Sequence, residues 1–490
     1  MKKYPILFVI LSFLALVFPS LSLRGVYPRS NLILNGIASA VEPLRNDINK
    51  FGIHILEPSD LAKAQELVNS KGGDWGWVTV VIRDDDLDHD KWQDFMNQCR
   101  EKHLIPLVRI ATHLEGESWI KPKPEDTEKW ANFLNNLNWP VSDQYVVIFN
   151  EPNHAKEWGG EINPREYSRI LSDFSLKFKM KSAKFKILNA GLDLAAPNSK
   201  TTMETSRFMS EMNFEIPGIF EKLDGWVSHS YPNHGFLGKP WEAGKTSVKG
   251  YEWELSVLKN NFKVKKELPV FITETGWPKL GSEKWEMRSG NKYYNKETVA
   301  EYIKYAFENV WLKDERVKAI TPFVLNYPQG LFAEFSWLDE QGNSYPQCET
   351  VKNIAKVSWW PKQETTYEVK SVILPPFLPA NTEFKGKIVL KNTGQSIWGE
   401  RGPVELKAET DNESLNISSL VIPSVPQIKP GGTINLDFSI NSFSKPGIIE
   451  FSWEGLPTYR LKVYPYSVLT QARFTIWEKI FLTLKNFLNR

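Results

Sequence analysis

The chain has 490 residues, of which 41% are hydrophobic and 24% are charged, and its formal net charge is +2. That length predicts about three domains at roughly 150 residues each, and the near-neutral charge favours neither nucleic-acid nor acidic partners. The two cysteines, Cys99 and Cys348, exclude a disulfide framework and a four-cysteine zinc site. We expect buried free thiols, with a single bridge between them as the alternative.

The N-terminal residues 1–23 form a targeting segment. Lys2 and Lys3 precede a long apolar run, which is typical of a signal peptide or an uncleaved membrane anchor. No small-x-small cleavage site follows closely, so an anchor with the two lysines inside is slightly favoured. In both cases the functional part is exported, and we expect an extracellular or cell-surface protein. Residues 24–45 have the composition of a polar linker.

Strand-like and helix-like segments alternate from residue 51 onward. The strand candidates, rich in β-branched and aromatic residues, are 51–56, 77–83, 104–110, 145–149, 185–190, 225–229, 270–273 and 319–325. Amphipathic helical stretches separate them, among them 59–68, 126–134 and 296–307. Eight such alternations predict an α/β fold, a (β/α)8 barrel over residues 46–362. The alternative, an open doubly wound sheet, would normally carry a glycine-rich first turn that is absent here.

The pattern changes after the barrel. Residues 363–466 alternate apolar and polar positions and carry many Pro and Gly turns, which is typical of a β-sandwich. Within them, residues 391–398 resemble a strand–turn–strand segment of bacterial immunoglobulin-like modules. The resemblance implies an immunoglobulin-like sandwich, which either spaces the barrel from the membrane, our expectation, or binds glycan. Residues 467–490 predict a C-terminal amphipathic helix that lies on a membrane surface or packs on a domain.

Two glutamates stand at the ends of buried-looking strands. Glu151 follows the fourth strand candidate and Glu274 follows the seventh. An apolar run that ends in a carboxylate is costly unless the carboxylate faces a polar cleft. In a barrel, both would point into the mouth at the carboxyl ends of the strands. Such a pair is what cleavage of a glycosidic bond requires. The alternative is that both are ion-paired surface residues where loops begin.

The motif Asn150-Glu151-Pro152 after strand four, together with Glu274 after strand seven, resembles the retaining (β/α)8 glycoside hydrolases of clan A. That clan includes cellulases and β-xylosidases, and the resemblance covers about residues 46–360. It implies that Glu151 is the acid/base, that Glu274 is the nucleophile and that Asn150 holds the sugar 2-hydroxyl. Retention requires the two carboxyl groups about 5–5.5 Å apart, whereas a gap of about 6.5–9.5 Å implies inversion.

The same resemblance implies further substrate-binding residues. Tyr231 after strand six would donate a hydrogen bond to the nucleophile, and His229 would be a secondary site residue; a polar core role is the alternative for both. Arg83, at the end of strand two, would steady the charge of the nucleophile. Arg109 on strand three competes for that role, because Arg83 can pair instead with the acidic residues 84–86.

Aromatic side chains near the strand ends are expected to contact sugar rings. Trp158 and Trp277 are the predicted stacking residues, and His113 is a predicted subsite residue. Many clan members carry a Trp at the end of strand eight as the floor of a subsite. Here Tyr327 stands near that position, and Trp337 is an alternative from the following loop. This departure leaves the identity of the sugar open.

The residues thus predict an O-glycoside hydrolase that cleaves a poly- or oligosaccharide by retaining double displacement. We expect no metal or cofactor, since His154, His229 and His234 lack zinc-ligand spacing. We also expect a monomer with no nucleic-acid partner. Two alternatives stay open. One is a catalytically silent carbohydrate-binding or cell-surface protein on the same scaffold, and the other is a transglycosylase.

Overall fold

The computed structural model describes residues 48–280, 293–375, 378–410, 415–442 and 447–464. The predicted targeting segment, the polar linker and the C-terminal amphipathic helix lie outside the described residues. In the described ranges, helices are too short or too polar to cross a membrane. Cys99 and Cys348 are both buried free thiols.

The first part of the described chain is built on eight parallel strands. They are β1 (Gly52–His54), β2 (Gly76–Arg83), β3 (Leu104–Ala111), β4 (Gln144–Ile148), β5 (Phe185–Leu188), β6 (Trp226–His229), β7 (Val270–Glu274) and β8 (Val317–Ile320). Strands β1 to β5 pair in chain order, and β6 to β8 form a second run. Parallel bridges from Leu188 to Gly225 and from Phe51 to Ile320 join the two runs. The sheet is therefore closed, as a (β/α)8 barrel requires.

Helices cover the outside of these strands. They are α1 (Leu61–Val68), α2 (His89–Glu101), α3 (Asp126–Asn135), α4 (Pro164–Lys181), α5 (Thr205–Glu215), α6 (Gly250–Asn260), α7 (Lys296–Ala306) and α8 (Pro346–Lys352). Side-chain caps mark where three of these helices begin. The side chains of Asp88, Asn163 and Asn295 each accept a backbone N–H in the first turn of α2, α4 and α7. These caps satisfy donors that have no partner within a helix.

The eighth strand is shorter at its carboxyl end than its composition predicts. Residues 319–325 were expected to be extended as one strand, but β8 ends at Ile320. Pro322 has no N–H and cannot continue a ladder on that side. Its carbonyl instead accepts a hydrogen bond from the backbone N of His54 at 3.1 Å. Residues 321–325 therefore lose regular strand geometry at the barrel mouth, although Thr321 N still donates to Ile272 O and Leu325 N to His54 O.

Aromatic residues fill the amino-terminal end of the barrel. Trp77, Tyr145 and Phe271 are the second residues of β2, β4 and β7, and their rings pack edge to face or tilted. Trp359, from the segment after α8, lies parallel to Trp77 from below at 6.4 Å. Packed rings close this end to solvent. The two glutamates lie at the opposite, carboxyl-terminal end of the strands.

The remaining described residues form sheets around a second core. Their strands are β9 (Tyr367–Ile373), β10 (Leu378–Pro379), β11 (Glu383–Asn392), β12 (Val404–Leu406), β13 (Ala408–Thr410), β14 (Leu415–Ile417), β15 (Leu420–Ile422), β16 (Thr433–Ser442), β17 (Gly447–Trp453) and β18 (Tyr459–Tyr464). One sheet has the order β9-β11-β16-β14, a second has β10-β18-β17-β13, and β12 pairs with β15. A single cluster of buried apolar residues, from Leu378 to Val463, lies among them.

Buried polar groups connect the second core to the barrel. Arg100 of α2 donates from Nε to the carbonyl of Gln395 at 2.6 Å. Gln395 Nε2 donates in turn to the carbonyl of Val141 at 2.8 Å. His103 Nε2 lies 3.0 Å from a carboxylate oxygen of Glu400. These contacts fix the sheets against the side of the barrel.

Candidate active site

Glu151 lies in a tight backbone turn directly after β4. Phe149 and Glu151 have φ angles of 69° and 30°, which residues other than glycine rarely adopt. Backbone hydrogen bonds hold the turn. Glu151 N donates to Gly191 O at 3.1 Å, and His154 N donates to Glu151 O at 2.9 Å. The turn places the carboxyl group of Glu151 at the barrel mouth, half-buried.

Glu274 is the last residue of β7 and is 9% exposed. Its Oε1 accepts a hydrogen bond from Arg109 Nη1 at 2.5 Å. Its Oε2 accepts a hydrogen bond from the hydroxyl of Tyr231 at 3.2 Å. Arg109 comes from β3, and Tyr231 follows β6. Two donors from other parts of the barrel therefore fix the carboxylate that β7 carries.

His229 lies between the two glutamates. It is paired in register with Glu274 across β6 and β7. Its Nδ1 lies 2.8 Å from Glu151 Oε1 and 3.8 Å from Glu274 Oε2. One carboxylate oxygen of each glutamate and one ring nitrogen of His229 all lie within 4.8 Å of one another. The two carboxyl groups thus face the same small volume.

Burial and neighbouring charges shift the pKa values of Glu274, His229 and Tyr231. Burial would raise the pKa of Glu274, but the positive charges of His229 and Arg109 outweigh it and hold that pKa well below its usual range. Burial would lower the pKa of His229, but Glu274 and the bond to Glu151 raise it. Burial and the charge of Glu274 raise the pKa of Tyr231, so its hydroxyl keeps the proton that it donates. Glu274 is accordingly an ionised carboxylate surrounded by donors.

His54 of β1 lies behind this group. It is fully buried, and its Nδ1 lies 3.4 Å from the carbonyl of Thr273. Burial, followed by the charge of Arg109, lowers the pKa of His54 to about 3. Its imidazole is therefore neutral near neutral pH and adds no charge to the site.

Asn150 is held from two sides. Its Oδ1 accepts a hydrogen bond from Arg109 Nη1 at 2.7 Å. Its Nδ2 donates to Glu157 Oε2 at 3.3 Å. Asn150 therefore shares a donor with Glu274 and lies beside both carboxylates.

The expectation that Arg83 steadies the nucleophile is wrong for this geometry. The guanidinium of Arg83 is exposed and pairs with Asp85 at 2.9 Å, two residues further along the chain. The cation that contacts Glu274 is Arg109, the competing candidate. A local acidic partner keeps the Arg83 side chain at the surface, whereas Arg109 has the buried carboxylate as its counter-ion.

Trp158 and Trp277 do not present a ring face to the mouth. Trp158 is 1% exposed and donates from Nε1 to Glu166 Oε2 at 2.8 Å. Trp277 is 3% exposed and donates to the carbonyl of Gly238 at 2.8 Å. Trp337, the alternative at strand eight, is equally buried in the main core. The prediction of sugar stacking by these residues is corrected: their rings pack in the core.

His113 and Tyr327 have hydrogen-bond partners other than the two carboxylates. His113 Nδ1 is 2.9 Å from Asp84 Oδ1, on the part-exposed rim. Tyr327 is half-buried, and its backbone N donates to Ser336 Oγ at 3.0 Å. In the described contacts, neither side chain is hydrogen-bonded to Glu151 or Glu274.

Several residues of the mouth have no signal in the sequence. Phe236 and Phe335 pack edge to face on each other and on Tyr231, and Phe323 packs on Phe335. They come from loops after β6 and β8, where apolar residues show no periodicity. Glu157 is another mouth residue that the sequence did not predict, because a charged loop residue is ordinarily expected to be solvated.

Glu151, His229 and Glu274 have the donor types of a metal site. However, Arg109 and Tyr231 already contact Glu274, and Glu151 engages Nδ1 of His229. A bound cation would have to displace these donors and lie beside the Arg109 guanidinium. The arrangement instead suits proton transfer by one carboxyl group beside a second, ionised one.

No family model and no curated protein matches the chain. The fold is similar to a GH39 β-xylosidase from Caulobacter crescentus, with a TM-score of 0.45 and 11% identity over 84% of this chain and 99% of that one. It is also similar to the GH39 enzyme from Xanthomonas axonopodis pv. citri, with a TM-score of 0.41 and 11% identity over 87% and 100% of the two chains. For a GH128 endo-β-1,3-glucanase from Sorangium cellulosum the values are 0.41 and 12% over 63% and 99%. Similarities at these scores carry no conclusion about what this chain does.

Proposed function

We propose that the chain is a retaining O-glycoside hydrolase that acts on a poly- or oligosaccharide. The observation that carries the proposal is the approach of Glu151 and Glu274, of which one oxygen each lies within 4.8 Å. Retaining enzymes hold their carboxyl groups about 5–5.5 Å apart, and inverting enzymes leave about 6.5–9.5 Å for a water molecule. A separation this short fits the retaining geometry better than the inverting one and favours retention.

In the first step, Glu274 attacks the anomeric carbon. Arg109 and Tyr231 hold its carboxylate ionised and oriented. Glu151 gives its proton to the glycosidic oxygen, the bond to the leaving sugar breaks, and an ester between the sugar and Glu274 forms. His229 Nδ1–H donates a hydrogen bond to the Glu151 oxygen and so stabilises the negative charge left there.

In the second step, Glu151 acts as a base. It takes a proton from a water molecule, whose oxygen attacks the anomeric carbon and releases the Glu274 carboxylate. The configuration at that carbon is retained because it is inverted twice. Glu151 ends protonated, ready for another cycle.

The proposal extends to the rest of the chain as predicted from its sequence. Residues 46–362 would be the catalytic domain, residues 363–466 an immunoglobulin-like sandwich, and residues 467–490 an amphipathic helix. Residues 1–23 would direct export as a signal peptide or anchor. The monomeric state and the cell-surface location stay predictions.

The test is intact-mass spectrometry after exposure to a panel of 2-deoxy-2-fluoro glycosides with activated leaving groups. Such probes form the glycosyl-enzyme, which then hydrolyses slowly. We expect an adduct that peptide mapping assigns to Glu274 and that Glu274→Gln abolishes. Glu211→Gln, which changes an exposed helix carboxylate paired with Arg165, is the control and should label like the wild type.

Other outcomes distinguish the alternatives. Glycan binding without labelling by any probe would support a catalytically silent binding protein. New, longer products with acceptor sugars, together with no hydrolysis in their absence, would identify a transglycosylase. In either case the hydrolase proposal is overturned.

A further inference from the structure

Glu157 is a carboxylate at the mouth that the proposed reaction does not use. It ends the short turn Ala155–Glu157, in the loop that begins with Glu151. Its Oε2 accepts a hydrogen bond from Asn150 Nδ2 at 3.3 Å, and among the described residues Asn150 is its side-chain partner. Burial, and then the charge of Glu151, raise the pKa of Glu157. Burial and a neighbouring carboxylate both disfavour the ionised form of Glu157, so its position calls for a functional explanation.

The orientation of the Asn150 amide is set by its two neighbours. Arg109 has only donors, so the oxygen of the amide must face it. Glu157, when ionised, has only acceptors, so the nitrogen must face it. Both neighbours therefore favour one of the two flipped states of the amide. One hydrogen of Nδ2 is left without an assigned acceptor.

The contacts form a chain across the mouth. Glu157 binds Asn150, Asn150 accepts from Arg109, and the same Arg109 Nη1 reaches Glu274 at 2.5 Å. A rotation of the Asn150 amide would turn its NH2 group towards Arg109. The resulting donor–donor contact would be unfavourable, so the two neighbours together hold the amide in one state.

We propose that Glu157 is a positioning residue that acts through Asn150. It holds the amide in the state that accepts from Arg109, so that the free Nδ2 hydrogen points to the sugar hydroxyl next to the anomeric carbon. This inference rests on the proposed function. Hydrogen bonds to that 2-hydroxyl strengthen in the transition state of glycoside cleavage, so their orientation affects the rate.

The kinetic test compares two aryl glycosides that differ only in the 2-hydroxyl. In Glu157→Ala we expect kcat/KM to fall about tenfold with the 2-hydroxy substrate and much less with the 2-deoxy substrate, since one oriented hydrogen bond is lost. Glu157→Gln keeps an acceptor oxygen and should restore most of the rate. Glu161→Ala, an exposed residue of the same loop that pairs with Lys121, is the control and should leave both rates unchanged.

A second measurement does not depend on activity. In protein labelled with 15N-asparagine, the side-chain amide signals of Asn150 are assigned by their loss in Asn150→Ala. We expect Glu157→Ala to shift them and Glu161→Ala to leave them in place. Unmoved Asn150 signals, or an equal loss of rate with both substrates, would overturn the positioning role. A wild type that cleaves no glycoside while Glu157→Ala still shifts these signals would instead contradict the proposed hydrolase.

Discussion

At the scale of single residues, Gly191 limits the space around His229. A Cβ atom at Gly191 would lie 2.2 Å from Cδ2 and 2.4 Å from Nε2 of the imidazole. The ring is fully buried and cannot move away freely. The carbonyl of Gly191 also accepts the hydrogen bond from Glu151 N. One glycine therefore supports both the acid/base candidate and its histidine partner.

We predict that Gly191→Ala disturbs the site. Overpacking should lower the free energy of unfolding by about 1–3 kcal/mol. Displacement of His229 and Glu151 should lower kcat by about 100-fold, as a shift of about 1 Å can. Denaturant titration and initial rates measure the two effects. The control is Gly447→Ala, where a Cβ meets open space; equal behaviour of the two variants would contradict the prediction.

The lowered pKa of Glu274 predicts how its contribution to stability depends on pH. The unfolded chain has an ordinary glutamate pKa of about 4.3. The charges of His229 and Arg109 overcome burial and lower the pKa in the folded state. Ionised Glu274 therefore stabilises the fold above the unfolded value, and this contribution is lost as the pH falls through the folded pKa.

We expect the difference in the free energy of unfolding between wild type and Glu274→Gln to narrow as the pH falls from about 6 to about 3. The variant has no carboxylate to protonate at this position. We expect a narrowing of at least about 1 kcal/mol, which corresponds to a difference of less than one pKa unit between folded and unfolded Glu274. Urea titrations at each pH provide the measurement. A difference that stays constant or widens in acid would show that Glu274 is not ionised preferentially in the fold.

At the scale of elements, helix α2 carries a buried cation that connects the barrel to the second core. Arg100 is 2% exposed, and burial lowers its pKa to about 10, so it stays charged near neutral pH. Its guanidinium donates to the carbonyls of Gln395, Asn138 and Trp139. Without the guanidinium the carbonyls of Gln395 and Trp139 lose this buried charged donor.

We predict that Arg100→Ala lowers the free energy of unfolding by about 3 kcal/mol, since bonds from a charged donor to buried acceptors are lost. Arg169→Ala, on helix α4, removes an exposed pair with Glu215 and should cost less than about 1 kcal/mol. Chemical denaturation of both variants gives the comparison. Similar losses in the two would mean that the connection through Arg100 adds nothing to stability.

The elements themselves were largely predictable from the sequence. Runs of β-branched residues such as those in β2 and β3 have few alternatives to a buried parallel strand. Strand ends were less predictable, as β8 illustrates. The choice between Arg83 and Arg109 was not predictable either. Both arginines lie late in strands, and only the position of the partner carboxylate separates them.

At the scale of the whole molecule, two cores meet through a polar seam. The barrel core extends from Phe51 to Ile354, and the second core extends from Leu378 to Val463. Trp359 and Trp360 lie between them in the chain and pack against the floor of the barrel. The aromatic floor closes one end of the barrel, which leaves the other end for the carboxylates.

The sequence by itself determined the alternation of strands and helices and the two glutamates at the carboxyl ends of β4 and β7. Those features depend on residues close together in the chain, because strand periodicity and strand ends are local. Only the tertiary structure decided that Arg109 holds Glu274, that Trp158 and Trp277 are buried, and that Glu157 reaches Asn150. Each of these depends on which distant side chain fills the neighbouring volume, and a local pattern carries no record of that packing.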